Sequence, residues 1–167
     1  MTDLDEGCKP ARARLQSRCK DAAGRSCPNQ MEAIMTAVDR FLDAIRAGDV
    51  SACDAWAEGV TLDATVPNWR FKLSAIAAVR AEYGRWFSHP AELAELRHIP
   101  FEGGAVIEYV LTWQEDGVPH AAHHVHLLDV RDDLIVSDTV MCGGRWPASL
   151  LAEMGLAEMG LADASAG

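Results

Sequence analysis

Residues 105 to 114 read Ala105-Val-Ile-Glu-Tyr-Val-Leu-Thr-Trp-Gln114, and they alternate between two kinds of side chain. One face of this stretch is entirely apolar: Ala105, Ile107, Tyr109, Leu111 and Trp113. The other face is half-polar: Val106, Glu108, Val110, Thr112 and Gln114. A period of two is typical of a β-strand that packs one face on a core and turns the other toward solvent. The stretch therefore predicts a strand in a half-buried antiparallel sheet.

Turn signals on both sides of this strand divide the C-terminal half of the chain into four predicted strands. The signals are Gly103-Gly104, Glu115-Asp116-Gly117 and Asp132-Asp133, which all favour tight turns. The predicted strands cover about 92–100, 104–114, 118–129 and 134–142. Because tight turns join antiparallel neighbours, the pattern predicts four consecutive antiparallel strands.

Helical patterns come before these strands. From Gln30 to Ala47 the apolar residues recur every three or four positions, which predicts an amphipathic helix. Its predicted core face is Ile34, Val38, Phe41, Leu42 and Ile45. A short helix over 50–57, a strand over 60–66 and a third helix over 74–87 are predicted next. This order predicts an α+β fold in which three N-terminal helices pack on a mainly antiparallel mixed sheet.

Composition limits the class of protein. The chain has 167 residues, of which 49% are apolar, and this suits one globular domain. We predict a disordered leader over 1–28, the domain over 29–154 and a flexible tail over 155–167. The sequence has neither an apolar stretch long enough to cross a bilayer nor a signal peptide, which favours a cytoplasmic protein. A net charge of −10 argues against nucleic acid or a membrane surface as partner.

The predicted order of elements resembles that of the nuclear transport factor 2-like superfamily, over about residues 30–154. This superfamily includes ketosteroid isomerases, SnoaL-type polyketide cyclases, scytalone dehydratase and limonene epoxide hydrolase. The resemblance also rests on Ala47-Gly-Asp-Val50, on Asp63 in mid-strand and on Ile135-Val-Ser-Asp-Thr-Val-Met-Cys-Gly-Gly144. It implies a strongly curved sheet, a conical pocket between sheet and helices, and frequent dimers. Because the superfamily hosts many activities, the resemblance does not by itself imply one reaction.

The resemblance to ketosteroid isomerases assigns roles to individual residues. Asp63, within Val60-Thr-Leu-Asp-Ala-Thr-Val66, falls at the position of their general base. His123 falls near their oxyanion-donating acid, and Asp138 matches a pocket-lining position on the last strand. Phe41 stands where those enzymes have the oxyanion tyrosine, so steroid isomerisation itself is not expected.

The face that His123 occupies depends on the hairpin after Gln114. A three-residue loop, Glu115-Asp116-Gly117, pairs Gln114 with Val118 and places Tyr109 opposite His123. A two-residue turn would instead pair Tyr109 with His124. We favour the first register because it keeps the apolar faces together, with Val125 beside His123 inside.

On this register the sequence predicts a pocket in which Asp63, His123 and Asp138 are the catalytic residues. The predicted ligand-binding residues are Phe41, Trp69, Tyr83, Tyr109, Val125, Cys142 and Trp146. Apolar walls raise carboxylate pKa values, and a neighbouring histidine can donate to a developing oxyanion. Each polar residue also has a structural alternative. Asp63 can cap a turn or pair with Arg70, His123 can bond to Tyr109 or to a backbone carbonyl, and Asp138 can pair with Arg145.

A metal site is a further pattern that the sequence allows. His120, His124 and His126 share one strand face, and Glu108 lies across the ladder. That face is the half-polar one in the favoured register, so we interpret the histidines as surface residues and predict no metal. The chain also has no glycine-rich phosphate loop, so we predict no nucleotide cofactor.

Together these patterns predict a cofactor-free acid–base enzyme: an isomerase, dehydratase, cyclase or hydrolase of a small hydrophobic carbonyl, polyketide or epoxide compound. The same pocket also suits a non-catalytic module that binds a hydrophobic molecule. A third possibility is an assembly domain, and a homodimer through the outer sheet face is expected in any case. The decisive predicted difference is that replacing Asp63 abolishes turnover only if the protein is an enzyme.

Overall fold

A computed structural model of the chain describes residues 30–154. The leader predicted over 1–28 and the tail predicted over 155–167 lie outside the described residues. Helices and strands follow one another in this order: α1 (Gln30–Ala47), a 3-10 turn (Val50–Ala52), β1 (Trp56–Val66), β2 (Trp69–Ser74), α2 (Ile76–Trp86), β3 (Ala91–Phe101), β4 (Gly104–Glu115), β5 (Val118–Arg131), β6 (Leu134–Cys142) and α3 (Ala148–Glu153). None of the helices in this range is both long and apolar enough to span a membrane.

The six strands form one mixed sheet in the order β2-β1-β6-β5-β4-β3. Strands β1 and β6 are parallel, and every other neighbouring pair is antiparallel. The α+β class and the meander of β3 to β6 are therefore confirmed. The strong curvature and the conical pocket that the resemblance implied are not confirmed.

The core lies between the inner face of the sheet and the helices α1 and α2. The predicted apolar face of α1 is entirely buried, and Phe41 at its centre packs against Trp56, Tyr83 and Phe87. On β4 the predicted core face is also confirmed, since Ala105, Ile107, Tyr109 and Leu111 are buried there. Gly48 ends α1 with a φ of 69°, and a side chain at this position would collide with the backbone of His89.

Three elements differ from the prediction. The short helix after Gly48 is a single 3-10 turn, because β1 begins at Trp56 and takes over its predicted last residues. Residues 69–74 form β2, a strand paired with β1, in which Phe71 and Leu73 alternate with Arg70 and Lys72. Helix α3 packs on the outer sheet face through the buried Leu151.

The hairpin register between β4 and β5 also differs, and the predicted three-residue loop is wrong. Glu115 pairs with Val118, so the turn has two residues, Asp116 and Gly117. Both have positive φ values, 52° and 75°, as a type I′ turn requires, and such turns match the twist of the flanking strands. A shift of one residue moves every side chain of β5 to the other face. Tyr109 therefore lies opposite His124, and His123 faces outward.

Candidate functional site

A chain of four hydrogen-bonded polar side chains lies in the middle of the core. Tyr83 of α2 donates to Asp138 Oδ2 of β6 over 2.6 Å. His126 Nδ1 of β5 lies 2.9 Å from the same oxygen, and His126 Nε2 lies 2.9 Å from the hydroxyl of Tyr109 on β4. All four residues are fully buried. We call Tyr83, Asp138, His126 and Tyr109 the interior polar chain.

The donors in this chain can be inferred from its chemistry. Burial and the neighbouring Asp138 carboxylate raise the pKa of Tyr83 well above its usual value, and the same two causes raise the pKa of Tyr109. Both hydroxyls therefore keep their protons and donate. If Tyr109 donates to His126 Nε2, the imidazole proton is on Nδ1 and points at Asp138. In that arrangement the Nε2 lone pair of His126 accepts the hydrogen bond from Tyr109.

This arrangement is poorly suited to stability alone. A buried carboxylate loses several kcal/mol of hydration, and Asp138 has two hydrogen-bonding side chains, Tyr83 and His126, in return. Apolar side chains enclose the cluster, since Phe41 stacks edge-on against His126 at 5.4 Å. Replacing a buried ionic group by apolar residues of similar volume is often neutral or stabilising in proteins. Buried polar groups of this kind are frequent at functional sites, where chemistry and not packing decides the residue type.

A surface pocket of about 280 Å³ opens next to this chain. Its walls include Trp86 of α2 and Leu111 and Trp113 of β4, and His124 and Cys142 form its floor. His124 and Cys142 are paired across β5 and β6. Because alternate strand residues share a face, His126 is the next inward side chain after His124. His124 on the pocket floor and His126 of the interior polar chain are thus adjacent side chains on the inner face of β5.

His124 connects the pocket with the chain behind it. Its ring stacks on Tyr109 with a centroid distance of 5.5 Å and lies 5.8 Å from the ring of His126. Burial, helped by the nearby His126 and His123, lowers the pKa of His124 to about 3, so the imidazole is neutral near pH 7. Within residues 30–154 its Nδ1 is buried and has no hydrogen-bond partner. A neutral imidazole with an unused polar atom can bond to a ligand oxygen.

Cys142 is the second polar group of the pocket floor. Its Sγ lies 3.5 Å from His124 Nε2 and accepts a hydrogen bond from the backbone N–H of Gly144 over 3.3 Å. Burial raises the pKa of the Cys142 thiol, and the Gly144 N–H opposes this only in part. The side chain is therefore a neutral thiol and packs as a small apolar group.

A larger cavity, of about 660 Å³, lies elsewhere, between the start of α1 and the β5–β6 turn. Its lining includes Gln30, where the described chain begins, together with Arg131, Asp132 and Asp133. It has no aromatic wall, and none of the interior polar chain lines it. The smaller pocket is therefore the better candidate site.

Asp63 does not join Asp138 in the interior, although the sequence predicted that it would. Its carboxylate is on the outer face of β1, 2.6 Å from Arg70 Nη2 and 3.1 Å from Lys72 Nζ. Hydrogen bonds from Arg70 and Lys72 hold its pKa well below the usual value. The strand β2, which the prediction omitted, supplies both cations. The structural alternative, pairing with Arg70, is the one observed.

His123 is also outside, because of the hairpin register. Its Nε2 lies 3.2 Å from Glu108 Oε1, and Arg97 Nη1 bonds the other oxygen of Glu108 at 2.7 Å. Val125 is half-buried on the same outer face, between Glu108 and Met141. The predicted convergence of Asp63, His123 and Asp138 is therefore wrong, and Asp138 alone of the three is in the core.

The predicted ligand-binding residues other than Val125, which is on the outer face, fall into three groups. Cys142 lines the pocket. Phe41, Tyr83 and Tyr109 are fully buried behind it. Trp69 is 68% exposed next to the β1–β2 turn, and Trp146 packs on the outer face beside Ala121. Neither of these two tryptophans lines the pocket.

The sequence did not lead us to predict that His124 and His126 lie on the inner face of the sheet. Asp116-Gly117 was the available signal, since Asp-Gly is one of the pairs most typical of a two-residue type I′ turn. That turn places Ala122, His124, His126 and Leu128 on the inner face, where all four are buried. Glu108 is on the opposite face from His124 and His126, so the considered metal set is not assembled. Residues 30–154 contain no group of three or more metal-ligating side chains able to hold an ion.

Comparison with solved structures identifies the fold. An NTF2-like protein of unknown function from Mesorhizobium loti is 21% identical to this chain, with a TM-score of 0.53 over 71% of this chain and 97% of the other. A candidate polyketide cyclase from Xanthomonas campestris is 19% identical, with a TM-score of 0.53 over 66% and 90%. An LEH-like epoxide hydrolase of M. tuberculosis is 17% identical, with a TM-score of 0.53 over 69% and 85%.

The chain thus has the nuclear transport factor 2-like fold, and the predicted resemblance is confirmed at that level. No protein-family model and no curated protein sequence matches it. Identities of this size establish the fold alone, so the function must be argued from the site.

Proposed function

We propose that this protein is a cofactor-free acid–base enzyme that isomerises, dehydrates, cyclises or hydrolyses a small hydrophobic carbonyl, polyketide or epoxide compound. The observation that carries the proposal is the interior polar chain, which joins a carboxylate, an imidazole and two phenols one step behind a pocket. Solved structures of the same fold are described as a candidate polyketide cyclase and an epoxide hydrolase, which is compatible with this class of chemistry.

In the proposed mechanism, His126 is the proton acceptor and Asp138 orients it. Asp138 holds the proton on Nδ1 of His126, which leaves the Nε2 lone pair toward Tyr109. Tyr109 gives its proton to Nε2 while its oxygen takes a proton from the substrate. His124, neutral on the pocket floor, donates to the substrate oxygen that gains negative charge. Tyr83 supports the carboxylate and has no direct contact with the substrate.

The substrate must reach deeper than the pocket floor for this transfer, since Tyr109 is fully buried. His124 lies between the pocket and Tyr109, because it lines the pocket and its ring stacks on that of Tyr109. Entry of the reacting end of the substrate therefore requires the His124 ring to move. The same enclosure favours the second candidate function, a module that binds a hydrophobic molecule without reacting with it.

The test combines a binding screen with substitution of the interior carboxylate. Cyclic ketones, aromatic polyketides and epoxides are screened by thermal shift, and the compounds that bind are assayed for turnover. Asp138→Asn keeps the shape but removes the acceptor for His126 Nδ1–H, so we expect turnover to fall about 100-fold or more while Kd changes little. Asp63→Asn provides the contrast, since Asp63 is on the outer face and its loss leaves turnover unchanged.

Three results separate the alternatives. Loss of turnover in Asp138→Asn but not in Asp63→Asn supports the enzyme with its base in the interior. Ligands that bind without being consumed by either protein support the binding module. Loss of turnover in Asp63→Asn with full activity in Asp138→Asn rules out the interior mechanism.

We also propose that two copies of the chain associate through the outer face of the sheet. Three large apolar side chains are exposed there on β3, β5 and β6: Ile99 is 51% exposed, Leu127 44% and Met141 54%. Val106 lies between Ile99 and Leu127 in the ladder and extends the same apolar band. Exposed apolar bands of this kind are typical of protein–protein contacts.

A further inference from the structure

We propose that the ligand of the pocket between Trp86 and Trp113 is a cyclic organic carboxylate, whose charged group is bound by Arg85 and Arg145. This inference rests on the proposed function, because it concerns the ligand of the same pocket. It adds the chemical class of the ligand, which the interior polar chain alone does not define.

The charged side chains that line the pocket are both positive. Among the described residues that line it, the only charged side chains are Arg85 and Arg145, and none of the lining residues is Asp or Glu. The other two ionisable groups, His124 and Cys142, are neutral. The chain as a whole has a net charge of −10, so most of its surface repels anions. Arg85 and Arg145 are therefore the charged groups that an ionised ligand in the pocket would contact, while their partners Glu82 and Glu115 lie outside the lining.

Neighbouring side chains hold the guanidinium of Arg145 in a fixed position. Its Nη2 donates to Glu115 Oε2 over 2.7 Å, and its Nε donates to His120 Nδ1 over 3.2 Å. Its guanidinium carbon lies 5.7 Å from the ring centre of Trp113. These contacts orient the guanidinium above one wall of the pocket. No hydrogen bond among residues 30–154 uses Nη1 of Arg145, so donors remain for a ligand.

Arg85, the other arginine of the pocket lining, is also held by a neighbouring carboxylate. Glu82 accepts hydrogen bonds from both Arg85 and Trp86, the latter from Nε1 over 2.8 Å. One carboxylate outside the pocket lining thus holds both a cation and an aromatic wall in place. Arginine is well suited to such a position, because its planar donors match the two oxygens of a carboxylate.

The rest of the pocket is small and mostly apolar. Apart from the two arginines, His124 and Cys142, the described lining residues are apolar and include Val66, Pro67 and Leu111. A volume of about 280 Å³ is at the small end of ligand sites, which suits a skeleton of one or two rings. A carboxylate at the rim would place the ring system toward His124 and the interior polar chain.

The experiment compares two probes of equal shape and different charge, 2-naphthoate and 2-naphthamide, by calorimetric titration at low salt. Wild type is compared with Arg85→Gln, Arg145→Gln, the double variant and Arg97→Gln, a control on the outer face. We expect wild type to bind 2-naphthoate about tenfold more tightly than 2-naphthamide, since a charge-assisted hydrogen bond contributes more than a neutral one. Each single variant should reduce this preference, the double variant should abolish it, and Arg97→Gln should retain it.

Two other outcomes overturn the inference in distinguishable ways. Equal affinity of the two probes for wild type, or a preference that persists in the double variant, refutes the carboxylate while the pocket stands as a ligand site. Absence of binding of both probes at millimolar concentration refutes the pocket itself, and the proposed function with it.

Discussion

Asp63 and Asp138 lie on neighbouring strands but on opposite faces of the sheet, and the face determines the chemistry of each carboxylate. Asp63 faces outward on β1, where Arg70 and Lys72 compensate its charge. Asp138 faces inward on β6, is fully buried and receives hydrogen bonds from Tyr83 and His126. The first arrangement is that of a surface ion pair, whose contribution to stability is small. The second arrangement costs free energy of folding and suits proton transfer, so Asp138 and not Asp63 is the carboxylate of the proposed mechanism.

His124 predicts a specific loss of stability in acid. Its pKa is about 3 in the folded protein and about 6.5 in the unfolded chain, so the unfolded chain binds one more proton between these values. Stability therefore falls as pH decreases below about 6.5, by about 1.4 kcal/mol per pH unit from this residue. Urea unfolding between about pH 6 and pH 4 measures the slope for wild type and for His124→Phe, which cannot titrate. We expect the variant to have the shallower slope by that amount.

The absolute stability of His124→Phe can differ from that of wild type, because only the dependence of the unfolding free energy on pH reports the titration of His124. Equal slopes for wild type and His124→Phe would contradict a neutral, buried His124.

At the scale of elements, the sequence predicted the strands well and one register wrongly. The bounds of α1 and the approximate ranges of β3 to β6 followed from apolar periods and turn signals, which are local properties of the chain. The face of β5 did not, because both of its faces mix apolar and polar residues and either register buries some histidine. The turn backbone decided between them: Asp116 and Gly117 both have positive φ. Strand β2 was missed although Phe71 and Leu73 alternate with Arg70 and Lys72, since a six-residue edge strand buries little.

Gly117→Ala tests the turn that sets this register. A side chain at Gly117 would meet open space, so its only penalty is the positive φ of 75°. We expect a loss of about 1 kcal/mol in the free energy of unfolding. Gly59→Ala is the matched control, because Gly59 also faces open space and its φ is not in the left-handed region. Urea unfolding of both variants should show a loss for Gly117→Ala alone, and equal effects would contradict the turn assignment.

Helix α3 is a second element whose importance the sequence did not indicate. It has six residues, too few to be stable alone, so its contact with the sheet must hold it in place. Leu151 is 2% exposed and packs against Val110, Ala121 and Trp146. Leu151→Ala should lower the free energy of unfolding by about 2–3 kcal/mol through loss of this packing. Met154→Ala, one turn further and 42% exposed, should change it by less than about 0.5 kcal/mol.

At the scale of the molecule, the two faces of the sheet differ in composition and in the role that we propose for each. The inner face holds the interior polar chain and the pocket floor, and its composition could be predicted from the alternation in β4. Which polar residues join it could not be predicted, because β4, β5, β6 and α2 each contribute one member of the chain. Their meeting depends on long-range pairing and on a helix placement that no local pattern encodes. The outer face, partly covered by α3 and Trp146, leaves Ile99, Leu127 and Met141 exposed.

Leu127→Glu tests the proposed pairing of two copies through this outer face. Leu127 lies between Val106 and Thr139 in the ladder, near the centre of the apolar band, so a charge there would be buried at the contact. We expect wild type to sediment as a dimer at micromolar concentration and Leu127→Glu to sediment as a monomer with unchanged secondary structure. Val118→Glu is the control, since Val118 is equally exposed, at 44%, but lies at the hairpin end of β5. A monomeric wild type, or a variant that still dimerises, would exclude the outer face as the contact.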